Sequence, residues 1–106
     1  MDAELEIYQE NDFRLYECNG VLYLRETIWK PKSHSHRYLG SAEIIPLREL
    51  TDSQKVQRLL QGELYRVMTI KPYDPETDSD AEMLGDPCSK HEAITLLWSN
   101  RYNIQG

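Results

Sequence analysis

The chain has 106 residues, 40% of them hydrophobic, with 18 acidic against 12 basic side chains and a formal net charge of −6. That length suits one domain with a modest core, and the hydrophobic fraction excludes an intrinsically disordered chain. No apolar run approaches the ~18 residues that a membrane-spanning helix needs, and the acidic balance argues against nonspecific nucleic-acid binding.

The start of the chain, MDAELEIYQEND, lacks the apolar stretch of a secretory signal. Cys18 and Cys88 alone make no disulfide framework. A cytoplasmic protein with reduced thiols is expected.

In chain order, LEIY at 5–8 reads as a short strand. FRLYECNGVLYLRETIW at 13–29 then alternates around Asn19-Gly20, the pair most favoured in tight hairpin loops. A two-residue loop there sets Cys18 opposite Val21, Tyr16 opposite Tyr23 and Arg14 opposite Arg25. Phe13, Leu15, Leu22, Leu24 and Ile28 fall on one face, the core side, with Glu17 and Glu26 at its margins. Arg14, Tyr16, Tyr23, Arg25 and Trp29 take the other face.

From Thr27 to Ala42 there is no acidic residue, while Lys30, Lys32 and Arg37 are basic and His34 and His36 can become so. This reads as a basic loop over 30–37. Pro46 has no N–H for a ladder, so AEIIPL is expected to be an edge strand or an extended segment. Thr51 to Gln61 reads as a helix, opened by a Thr51/Gln54 capping box, closed by Gly62 and striped by Val56, Leu59 and Leu60. ELYRVMTIK at 63–71 alternates with apolar residues on both faces, as in a central strand covered on both sides. The acidic, proline-punctuated stretch at about 72–88 reads as a mobile loop. Ser89 and Glu92 then open a second helix with Ala93, Ile94, Leu97 and Trp98 on one side, and residues 101–106 form a tail. The expected fold is a single α+β domain spanning 1–106. Its small antiparallel sheet has three to five strands, including the Asn19-Gly20 hairpin, and packs with one or two helices.

Three functional readings follow. Tyr and Arg are enriched at interface hot spots, so the first is a non-enzymatic protein-binding module: a regulator, inhibitor or adaptor. It would act through Arg14, Tyr16, Tyr23, Arg25, Trp29, Lys30, Lys32 and Arg37, with the acidic loop as a second charged surface. The second is a nucleic-acid-contacting module using the hairpin arginines and the basic loop. The third is a zinc site from His34, His36, Cys88 and His91, residue types that zinc takes. The acidic loop lacks the turn glycine of an EF-hand. No nucleophile-elbow, P-loop or dinucleotide motif occurs, so neither an enzyme nor a bound cofactor is the favoured expectation.

Overall fold

The computed structural model describes residues 4–74, 76 and 79–104. Six strands form one antiparallel meander in the order β1-β2-β3-β4-β5-β6: β1 Leu5–Glu10, β2 Phe13–Cys18, β3 Val21–Lys30, β4 Ser33–Ile44, β5 Tyr65–Asp74 and β6 Ser79–Met83. A 3₁₀ turn (Leu47–Glu49) and helix α1 (Asp52–Gln61) separate β4 from β5; helix α2 (Lys90–Ser99) and the short helix α3 (Arg101–Ile104) follow the sheet.

The β2–β3 turn fixes the arrangement. Asn19 and Gly20 both have positive φ, 53° and 81°, the pairing that matches the twist of the flanking strands. The register is Cys18 to Val21, Tyr16 to Tyr23, Leu15 to Leu24 and Arg14 to Arg25, as the sequence implies. Leu15, Leu22 and Leu24 are accordingly fully buried. They meet Ala93 and Leu97 of α2 in one core, which also holds Phe13, Leu39, Ala42, Tyr65, Val67 and Cys88. Each such leucine contributes ~1.5–3 kcal/mol. Helix α3 lies on the same side, where Tyr102 packs edge-on against Phe13 at 5.0 Å. Arg101 ties this end to β1: its guanidinium donates to the Trp98 carbonyl (2.6 Å) and the Glu10 carboxylate (3.2 Å).

Strand β4 contains the other decisive feature. Leu24 faces Gly40 while Arg25 faces Tyr38, so Leu39 is an extra residue in a bulge. Leu39 and Gly40 are both buried, Leu39 within the core cluster. At Gly40 a Cβ would lie 2.8 Å from the Met68 carbonyl oxygen and 3.0 Å from Leu97 Cδ2. Only a bare backbone lets α2 approach this closely.

The sheet differs from the expectation in several places. It has six strands rather than three to five. The basic segment is not a loop: β3 runs on to Lys30, turns at Pro31-Lys32 and returns as β4 from Ser33. β4 is internal, not an edge strand, because it ends at Ile44, two residues before Pro46. β5 is internal as expected, but α2 covers one face of the sheet and not both. Much of the acidic loop is the β5–β6 hairpin; positions 75, 77 and 78 and the side chains of Asp74 and Asp80 lie outside the described residues. Ile28 is 38% exposed instead of in the core, since β3 there overhangs the end of β2. Residues 101–104 are helical rather than a tail. The expected capping box forms at α1, where Thr51 Oγ1 accepts from the Gln54 N–H (3.2 Å) and Gln54 Oε1 accepts from the Thr51 N–H (3.0 Å); at α2 only half of the expected Ser89/Glu92 box is present, Ser89 Oγ accepting from the Glu92 N–H (3.3 Å).

The two glycines separate backbone strain from packing. Gly20→Ala meets no atom within 4 Å and is expected to lose about 1–2 kcal/mol through its φ alone. Gly40→Ala carries no such φ strain but presses on the Met68 carbonyl and Leu97, and is expected to lose about 1–3 kcal/mol by overpacking, with loss of the near-ultraviolet signal of Trp98. Urea unfolding with circular dichroism measures both.

Candidate functional site: the uncovered face of the sheet

Strand alternation delivers a second set of side chains to the face away from α2. From β2 come Arg14 and Tyr16, from β3 Tyr23, Arg25 and Trp29, from β4 His34, His36 and Tyr38. The β4 bulge is what brings the last three here. Without the extra residue at Leu39, the alternation from Gly40 downward would send Tyr38, His36 and His34 to the α2 side.

The cluster is continuous. Tyr16 and Tyr23 stack with centroids 5.5 Å apart, Tyr38 stands edge-on to Tyr23 at 6.1 Å, and the Tyr16 hydroxyl donates to that of Tyr38 at 3.4 Å. Both arginines lie over Tyr16: the Arg14 guanidinium carbon is 4.7 Å and that of Arg25 5.4 Å from the ring centroid. Placing both opposed cations against one aromatic ring offsets part of their mutual repulsion. Toward the β3–β4 turn the ladder continues through His36 and His34 (5.2 Å) to Trp29 (5.4 Å), whose indole N–H donates to Asp12 Oδ1 at 2.7 Å. Trp29 is 67% and Tyr38 44% exposed, whereas Tyr16 is buried by its neighbours.

The two arginines differ in their partners. Arg14 holds Glu4, just ahead of the edge strand, at 2.8 Å and Glu6 of that strand at 3.0 Å. Arg25 Nε is shut off from solvent and has no hydrogen-bond partner among the described residues. A buried donor left unmatched costs about 1–3 kcal/mol, more when charged.

Burial first, then the hydrogen bond to Tyr38, holds the Tyr16 phenol well above its ordinary value. His36 is pushed below the ordinary imidazole value by lost hydration, then by the positive charges of Arg25, His34 and Arg14. On the opposite side, burial raises the Cys88 thiol, with a smaller contribution from Glu92.

Of the residues named from sequence, Arg14, Tyr16, Tyr23, Arg25 and Trp29 share this face. Lys30 and Lys32 lie exposed at the turn that ends the hairpin, with Lys32 at φ 67°. Arg37 does not join them. It pairs in register with Glu26 and so belongs to the α2 side. The zinc set is not assembled. His34 and His36 are exposed on the uncovered face, Cys88 is buried in the core against Tyr65, and His91 is exposed on α2. Among the described residues, no three His, Cys, Asp or Glu side chains group to hold a metal ion. A depression beside α2, lined by His91, Glu92, Thr95 and Leu96, supplies no free nucleophile: the Thr95 hydroxyl donates to the His91 carbonyl at 3.1 Å. Tyr38 was not singled out from sequence, and His34 and His36 were not assigned to this face. Their spacing in SHSHRY was the available signal, since residues two apart share a strand face.

The sign of the His36 displacement gives a pH dependence. A histidine whose folded value is depressed adds nothing above its unfolded value of ~6.5 and destabilises the fold progressively as pH falls below it. NMR titration of His36 Hε1 should give a midpoint below 6.5, moving upward in Arg25→Gln. A midpoint at or above the ordinary value contradicts the geometry. No family model, curated protein or solved structure matches this chain, so its functional reading rests on the residues of this face.

Proposed function

We propose that the protein is a non-enzymatic binding module whose uncovered sheet face receives an acidic, extended segment of another protein. The observation that carries this reading is the half-buried Arg25 guanidinium, held 5.4 Å from the Tyr16 ring centroid and beside an arginine already engaged by two carboxylates. The edge strand β1 supplies the pattern for such a segment. Glu6 of β1 and Glu4 just ahead of it stand two residues apart and both reach Arg14. An incoming strand-like segment with the same spacing would set a carboxylate on Arg25 and run over His36 and His34 toward Trp29 and the turn at Lys32. Charge-assisted bonds to guanidinium are among the strongest available to such a contact, and rigid aromatics supply area at low entropic cost.

A nucleic acid is the weaker occupant. Arg14 is neutralised by two glutamates and Arg37 lies on the other face. Arg25 and Lys32 remain, far short of the ~6–10 phosphate contacts of a strong binder.

Fluorescence anisotropy with a labelled deca-glutamate peptide and a dT₂₀ oligonucleotide tests the reading. The peptide is expected to bind at low salt, and more tightly as pH falls through the imidazole range. Arg25→Glu should weaken it by at least about tenfold, as for removal of a charge partner at an interface. Unchanged peptide binding in Arg25→Glu would sink the proposal, and tighter binding of the oligonucleotide would transfer the face to nucleic acid.

A further inference from the structure

Helix α1 is built inside out. At 100° per residue, Val56, Leu59 and Leu60 fall on one side, with Gln54, Gln57, Arg58 and Gln61 around the other. An amphipathic helix ordinarily turns the first group to the core. Here Leu59 is 81%, Leu60 83% and Val56 57% exposed, while the half-buried positions are Gln54, Gln57 and Arg58. Leu47, in the turn just ahead, is exposed as well. The excursion is nevertheless well anchored at its base. Ile45, Leu50 and Leu64 form a small separate core, the Ile45 N–H donates to the Leu64 carbonyl at 2.9 Å, and Arg66 pairs with Glu49 at 3.4 Å. The capping box fixes the helix start. A firmly rooted helix therefore holds its apolar stripe to the outside, forgoing ~1.5–3 kcal/mol of burial for each large side chain.

We infer that α1 is the contact through which two copies of this chain associate, the stripe of one lying antiparallel on the stripe of the other about a twofold axis. A twofold contact requires a surface that complements itself. An apolar stripe flanked by Lys55 and Ser53, with Asp52 at its N-terminal end, meets that requirement, since antiparallel pairing brings the acidic start of each helix toward the other copy. The charged residues of α1 are Asp52, Lys55 and Arg58, two bases against one acid, so its local charge is opposite in sign to the net −6 of the whole chain. Repulsion between two acidic copies is correspondingly weak there. Antiparallel pairing also sets the two helix dipoles head to tail. With Leu47 at the rim, two stripes in contact bury on the order of 1,000 Å² in total, the size at which specific interfaces begin. A lipid surface fits less well, because interfacial helices carry a Lys/Arg-rich polar face and this one is rich in glutamine.

Sedimentation velocity of the full chain from about 5 to 500 µM, which brackets micromolar to sub-millimolar dissociation constants, decides the matter. The wild type is expected to move from 12.5 kDa toward twice that mass as concentration rises. Leu59→Gln combined with Leu60→Gln should stay monomeric throughout, with an unchanged far-ultraviolet spectrum because both side chains are already exposed. A wild type that remains monomeric overturns the inference, and so does a dimer that the double variant leaves intact. Flotation with phosphatidylserine vesicles is the parallel arm: binding that the double variant abolishes, without dimerisation, assigns the stripe to lipid instead. None of these outcomes bears on Arg25, so the receiving face stands or falls separately.

Discussion

The structure depends on strand register set at a two-residue turn. Because side chains alternate with a period of two, a slip of one residue would exchange the leucines of β2 and β3 with their tyrosines and arginines. Asn19 and Gly20, both at positive φ, prevent that slip by holding the turn in the one hand that suits the strands. Everything inward of the sheet follows: Leu15, Leu22 and Leu24 form a flat apolar layer, and α2 settles on it where Gly40 admits Leu97. Everything outward follows too, because a single helical layer leaves the reverse side uncovered.

A second phase change makes that reverse side chemically distinctive. The bulge at Leu39 keeps Leu39 and Gly40 inward and then restores alternation with opposite parity, so that His34, His36 and Tyr38 join Arg25 and Tyr16. Two local irregularities, a left-handed turn and a one-residue insertion, thus sort the charged and aromatic residues of three strands onto one surface. The molecule is correspondingly extended. Its radius of gyration is 15.1 Å, against ~13 Å for a compact domain of about this length. Its projecting parts are the β3–β4 hairpin and α1, the elements with the most exposed aromatic and aliphatic side chains.

What could be read beforehand was local. The hairpin register, the two caps and the leucine face follow from turn chemistry and periodicity, which act over a few residues. The basic segment was misread because SHSHR has no apolar alternation. A strand that overhangs the body needs no buried face, so hydrophobic alternation does not reveal it and the spacing of His34, His36 and Tyr38 is a weak cue; the Pro31-Lys32 turn, with Lys32 at φ 67° where glycine or asparagine is usual, gave no clear sign either. The helical wheel of α1 identified a stripe but could not say which way it points, since that depends on how the excursion is rooted by Ile45, Leu50 and Leu64. The proposed zinc ligands fell apart for a related reason: spacing within each pair was suitable, but the sheet lies between them.

Solvent paramagnetic relaxation with a neutral gadolinium chelate, read residue by residue on the free protein, tests the division of the sheet most directly. The account requires strong relaxation at Trp29, His34, His36 and Tyr38, with the methyl groups of Leu15, Leu22, Leu24 and Leu97 protected. Protection of Tyr38 and His36 to the level of those leucines would mean that the face is covered, and the assignment of a receiving surface would be wrong.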